Sequence, residues 1–434
     1  METCPVGLTS ENRAMKQPLL AAAIAVAVCS LAACQRPATD ATDTAATATP
    51  APAATPAAEP ARAAPTDLDA LAQRLVTQSA AVKEGEIVMI TGRQQDAELM
   101  ENIAVEVAKA GGYPMVDYSS DRLSKRLFFD VPDTYDSRPD ALGAKLADVL
   151  DVVISLGNGT TENLFEGADP KRVAARGKAG EAVQQAFSRN NVRTVDVGNN
   201  LYPTAWRAER YGMSEQALAD MFWSGVNVDY GDLQARGEQI KAALAAGKEM
   251  RITNANGTDL AVQVQGRPVG VSDGIISPED LKQGGSAVAV YLPAGEVYVT
   301  PVAGTATGKV VQPRSFFRGK QVDDLTLTFA EGKLTNMAGS GPGFADMKAA
   351  YDATDDARKD LFGYVDLGIN PNIKLAAESK IGNWVPAGAV TLGMGNNLWA
   401  GGDNSVPYQH DISQQGSTVT LDGKVIVENG ALKL

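Results

Sequence analysis

Apolar residues recur along this chain first with a helical period and then with a period of two, and the change falls near Gly247. After Thr66-Asp67, which can cap a helix, Leu68, Leu71, Leu75 and Val82 keep to one helical face. Residues 86–92 (EIVMITG) are a short, nearly continuous apolar run ending in glycine, the pattern of a strand covered on both faces. Over residues 96–110, Leu99, Ile103 and Val107 predict a helix that Gly111-Gly112 stops. Further strands are expected at 115–118, 152–157 and 192–197. Helices are expected around Leu218, Met221, Phe222 and Val226, and around Leu233, Ile240 and Leu244. Strand and helix alternate, which predicts an α/β domain over residues 67–247 with a mainly parallel sheet.

From 248 to 434 the pattern predicts a β-rich domain. Residues 250–253, 260–264, 288–302, 325–329 and 418–427 alternate apolar with polar. Asn256-Gly257, Glu331-Gly332 and Asp422-Gly423 separate them, and the last is a hairpin signal of type I′. Helix is expected only at 344–361. Gly339 to Gly343 (GSGPG) is a loop that could cradle an anion or merely connect.

The stretch 291–302, YLPAGEVYVTPV, concentrates the candidate chemistry. Glu296 stands alone among Val290, Leu292, Val297 and Val299, so it is either a buried carboxylate or a strand-end residue facing water. A buried carboxylate needs a cation or strong donors. Pro293 and Gly295 break the ladder beside it and can re-aim the side chain into a cleft.

LPAGEV followed by Pro301 and the Gly-rich turn to Lys309 resembles the signature of the thermophilic aminopeptidase family of metallopeptidases, of the aminopeptidase T and aminopeptidase S type. The resemblance implies an exopeptidase that removes N-terminal residues from peptides, two copies enclosing the cleft, and a pair of zinc or cobalt ions held by two Glu, two His and an Asp. By motif, the first Glu is Glu296. The second Glu falls on Tyr364 in FGYVDLGINP, with Asp366 two residues on and on the same strand face. The first His falls on Thr391 in VTLGMG, and a family Tyr falls near Leu398. The final His-x-Asp becomes Gln409-His410-Asp411, with Asp411 in place and His410, the single histidine of the chain, displaced by one. Glu296, Asp411, Asp366 and His410 are therefore the candidate metal ligands. Zinc and cobalt favour imidazole; carboxylates alone would suit magnesium or calcium. Loss of the second Glu and both His predicts a modified or degenerate site, so the chain is either an altered exopeptidase or a protein that binds peptides or a partner without turnover.

Composition adds compartment and excludes other chemistry. Arg13 and Lys16 flank an apolar run, 19–31, of signal-peptide length, ending in Leu31-Ala32-Ala33-Cys34, which looks like a bacterial lipobox. Cys34 is then the lipid attachment site, residues 1–33 the signal peptide, and Gln35 resembles sorting to the outer membrane facing the periplasm. Residues 34–66 are Ala, Thr and Pro almost throughout and predict a tether. The other two cysteines, Cys4 and Cys29, precede it, which excludes thiol catalysis in the mature protein. A net charge of -13 and few aromatics argue against nucleic acid. Gly157-Asn158-Gly159-Thr160 follows a strand but is neither GxGxxG nor a phosphate loop, so no nucleotide is expected.

Overall fold

The computed structural model describes residues 66–406 and 408–434. The expected signal peptide, Cys34 and the tether up to residue 65 lie outside the described residues.

Four strands and a late fifth build the first sheet. They are β1 (Ile87–Gly92), β2 (Tyr113–Tyr118), β3 (Val152–Leu156) and β4 (Arg193–Val197). Next in the chain come β5 (Glu249–Thr253), β6 (Asp259–Gln263), β7 (Val269–Ser272), β8 (Ala289–Leu292) and β9 (Glu296–Val299). The order β2-β1-β3-β4-β8 is parallel throughout, as the α/β reading requires. Its central strands are buried along almost their whole length because helices pack on them. The helix Ala97–Lys109 contributes Leu99, Met100, Ile103 and Val107 to that core, the face its spacing predicts. Phe222 is fully buried and meets Tyr202 and Trp223 edge-on, so it is core packing.

The rest of the chain forms two antiparallel sheets. Its strands are β10 (Thr307–Phe317), β11 (Lys320–Ala330), β12 (Lys333–Ser340), β13 (Phe362–Gly368), β14 (Val390–Gly395), β15 (Gln409–Gln414), β16 (Thr418–Leu421), β17 (Lys424–Glu428) and β18 (Ala431–Leu432). One sheet runs β12-β11-β10-β6-β5-β16-β17-β18 and the other β15-β14-β13-β9-β7. Glu331-Gly332 and Asp422-Gly423 have φ of 51° and 74°, and 49° and 82°, the two successive positive angles of a type I′ turn. Helix in this half also includes Pro278–Gln283, too short to show a period, beside the expected one at Phe344–Asp352.

Residues 288–302 are not one strand. β8 closes the edge of the parallel sheet, the chain turns through a cis Leu292–Pro293 bond, and β9 opens the five-stranded antiparallel sheet. Gly295 adopts φ 131°, and a Cβ there would meet the Asn370 backbone nitrogen at 2.8 Å. Asn370 holds this corner by donating to the Ala294 carbonyl at 2.7 Å and to the Gly225 carbonyl at 3.1 Å. The apolar positions change parity across the break, from Val290 and Leu292 to Val297 and Val299, a shift that reading 288–302 as one alternating stretch passes over. One apolar cluster runs from Leu71 through Leu292 to Val427, so a continuous core joins the two halves.

Candidate functional site

Cross-strand partners share a face of a sheet, so the register of β15-β14-β13-β9-β7 sorts every candidate residue. Asp411 stands opposite Gly393, which stands opposite Tyr364. Gln409 pairs with Gly395, and Ser413 with Thr391. Thr391 pairs with Asp366, which pairs with Tyr298; Glu296 pairs with Gly368 and Ser272. Glu296, Tyr364, Asp366, Thr391, Gln409 and Asp411 thus project from a single face. The opposite face carries Val297, Val299, Val365, Leu367, Leu392 and Ile412, all buried. Alternation encodes this division, since every polar candidate but one has the same parity within its strand.

The exception is His410. It pairs with Met394 on the apolar side, away from Asp411 and Gln409. Burial pushes its pKa below the usual histidine value, with Asp411 opposing. His410 is therefore not a partner of Asp411 in a metal site. The period of two turns a displacement of one residue into a change of face.

Glu296 and Asp366 are both fully buried, so the solvent-facing alternative for Glu296 is excluded. Glu296 and Asp411 share the face but belong to strands three spacings apart, roughly 14 Å across the sheet. Asp411 is occupied locally. The Tyr364 hydroxyl donates to Asp411 Oδ1, and the Gln409 amide donates to Oδ1 and Oδ2 at 3.1 and 3.2 Å and to the Tyr364 hydroxyl at 3.2 Å. Thr391 and Ser413 exchange a hydroxyl hydrogen bond at 2.8 Å. The Tyr364 ring lies across Gly393, where a Cβ would come within 2.2 Å of it. Trp399 packs against both Tyr364 and Tyr298, with ring centroids 4.7 and 5.0 Å away. Leu398, near which the family's Tyr falls, is exposed.

One participant escaped the sequence reading. Asn199, in the loop after β4, donates to the Pro293 carbonyl at 2.8 Å and to Glu296 Oε1 at 3.4 Å, and accepts from Trp384 Nε1 at 3.2 Å. Asn199 and Asn200 have φ of 40° and 59°. Asparagine tolerates that left-handed region best among residues with a side chain, so Gly198-Asn199-Asn200 after a strand was the available signal. The negative neighbours of Tyr291, which include Asp196 and Glu296, add to burial in raising its pKa.

A pair of divalent ions needs about five protein donors, one of them bridging. The face supplies three carboxylates on three strands, and the places of one Glu and two His hold a phenol, a hydroxyl and an amide. The two side chains beside Asp411 direct hydrogens at its oxygens, where a cation would require lone pairs. Among the described residues, no three His, Cys, Asp or Glu side chains come together as metal ligands do. The donor set does not fit a two-metal centre. What it can do is accept N–H and O–H donors in a dry, aromatic-edged surface.

Against curated protein sequences the chain matches none. Among solved structures it is similar to wild-type AmpT from Thermus thermophilus, with a TM-score of 0.63 at 16% identity, covering 85% of this chain and 99% of that one. It is also similar to 2,5-dihydroxypyridine dioxygenase from Pseudomonas putida, with a TM-score of 0.56 at 12% identity, covering 86% and 98%. Identities this low show the fold alone, and the two names show that the fold serves unlike chemistries. The sequence profile of the thermophilic metalloprotease family (M29), whose members imply a divalent metal cofactor, matches residues 65–352. That span includes Glu296 and ends before Tyr364, Thr391, Gln409 and Asp411. With well over half of its residues matched, this chain belongs to the thermophilic metalloprotease family.

Proposed function

We propose that the protein is an aminopeptidase-like member of its family whose site takes short peptides but has lost the two-metal hydrolytic centre. The observation that carries this reading is the closed triad of Tyr364, Gln409 and Asp411, standing at the family's Glu, His and Asp positions. Polarising a scissile carbonyl and lowering the pKa of a bound water both depend on fixed ions. Neutral donors in the ligand positions remove that charge and engage the remaining carboxylate. Glu296 and Asp366 add two carboxyl groups to the same face, acceptors for the ammonium end of a peptide.

The reading extends to location. The lipobox-like segment before Cys34 and the Ala/Thr/Pro stretch after it support a lipoprotein tethered to the envelope membrane, with peptides of the periplasm as its ligands. Among the described residues no helix is long and apolar enough to cross a membrane.

The test is hydrolysis of aminoacyl amides by the purified protein with zinc, cobalt, manganese or magnesium added, beside Glu296→Gln and a Tyr364→Glu/Thr391→His/Gln409→His variant. Weak or no turnover by the wild type is expected, with a gain in metal affinity for the triple variant. Robust wild-type hydrolysis that Glu296→Gln abolishes would overturn the proposal.

A further inference from the structure

The order in which strands join the parallel sheet reverses at β1, with β2 on one side and β3, β4 and β8 following on the other. Beyond the C-terminal ends of strands at such a reversal the outgoing loops diverge, and the crevice left between them is where α/β sheets take ligands. Here the diverging loops are 93–96 after β1 and 157–161 after β3, and the loop 198–204 after β4 adjoins them.

Arg207, in the helix Ala205–Tyr211, packs against the loops after β3 and β4 and is 8% exposed. Its Nη1 donates to the Tyr202 carbonyl at 3.3 Å and the Gly159 carbonyl at 3.5 Å, and its Nε is buried with no partner among the described residues. The nearby carboxylates are committed elsewhere. Asp121 pairs with Arg93 at 3.1 Å and accepts from the Thr160 and Thr161 amides, and Glu162 pairs with Arg210 at 3.2 Å. The indole of Trp206 lies 4.4 Å from the Arg207 guanidinium, and its Nε1 is likewise buried without a partner. Burial pushes the Arg207 pKa down to about 10, outweighing the opposing pull of Tyr211, Tyr202, Asp121 and Glu162. Buried donors are almost always satisfied, so two orphaned N–H groups on stacked side chains, one of them charged, mark the place of an absent acceptor.

We infer that Arg207 and Trp206 anchor the carboxylate of a small ligand in the crevice at the C-terminal edge of the parallel sheet. A monoanion fits, because one guanidinium faces surroundings that already hold Asp96, Asp121 and Glu162. The ligand's other end follows from the peptide site proposed above, on which this part of the assignment rests. Asn199 donates to Glu296 and the Tyr202 carbonyl accepts from Arg207, and the backbone between Asn199 and Tyr202 covers at most about 10 Å, so both contacts belong to one loop. A di- or tripeptide spans that interval, its amino end toward Glu296 and its free C-terminus on Arg207.

The experiment is calorimetric titration of the purified protein with Ala-Ala, its C-terminal amide, N-acetyl-alanine and inorganic phosphate. Wild type is expected to prefer the acid to the amide by about tenfold or more, the effect of one charge-assisted hydrogen-bond pair. Arg207→Gln should erase the preference and Arg207→Lys retain part of it. Equal binding of acid and amide by wild type overturns the inference, and that comparison requires no variant to fold. A preference that survives in Arg207→Gln of unchanged melting temperature overturns it too. Arg207-dependent binding of N-acetyl-alanine, with Ala-Ala no better, keeps the carboxylate site and discards the peptide reading. Tight dipeptide binding with no acid preference does the reverse. Phosphate binding tenfold tighter than any carboxylate overturns the carboxylate assignment.

Discussion

Asp96 shows what a single buried group contributes. It is 7% exposed, accepts from the Tyr202 hydroxyl at 2.9 Å, and has its pKa raised to about 6, chiefly by burial. The folded state therefore binds this proton more tightly than the unfolded state, whose value is near 4. Stability from Asp96 is full below pH 4 and falls as pH rises through 6. Asp96→Asn keeps an acceptor without the charge, so it should raise stability by about 2 kcal/mol at pH 8 and change little at pH 4; denaturant melts at the two pH values check this, and an equal effect at both would refute it. His410 acts in the opposite sense. Its folded pKa is depressed by burial, so its share of stability is present above about 6.5 and lost as pH falls. At the site itself, Asn199→Ala removes donors to Pro293 and Glu296. The expected cost is about 1–3 kcal/mol, read from the same melts.

Elements depend on side chains their neighbours leave room for. Tyr364 reaches Asp411 because Gly393, between them on β14, has no Cβ to obstruct the ring. Gly393→Ala should displace Tyr364 and destabilise by about 1–3 kcal/mol or more. Adding Tyr364→Ala should recover part of that loss, and additive costs would show that the ring is not what the methyl meets. The β16–β17 hairpin rests on Asp422, which adopts a positive φ and accepts from the Lys248 and Glu249 amides. Asp422→Ala should cost about 1–2 kcal/mol, while Asp422→Asn, which tolerates the same backbone and can still accept, should cost less than half as much. The turn was legible in the sequence; its tie to the start of β5 was not, because that contact joins residues far apart in the chain.

At the scale of the molecule, β8 and the shared apolar cluster couple the two halves. The described chain should unfold in one cooperative step, with far-ultraviolet dichroism and tryptophan fluorescence melting together; separated transitions would show two independent units. The anchor belongs to this scale as well. Cys34→Ser should release the protein from the detergent phase, and unchanged partitioning would remove the lipoprotein reading. The sequence by itself determined the run of elements, the change from helical period to alternation, the type I′ turns and the isolation of Glu296 among apolar residues. Each is set by interactions within a few residues, and a period records them. It also carried the family's motif positions onto Glu296, Tyr364, Thr391, Gln409 and Asp411, with Asp366 on the strand face of Tyr364. Tertiary structure alone decided that 288–302 divides between two sheets, that His410 faces the core, that Tyr364 and Gln409 close on Asp411, and that Asn199, in the loop after β4, and Arg207, in the helix Ala205–Tyr211 that follows it, meet residues far along the chain. Strand partners are chosen by burial summed over the whole core, which no local pattern contains.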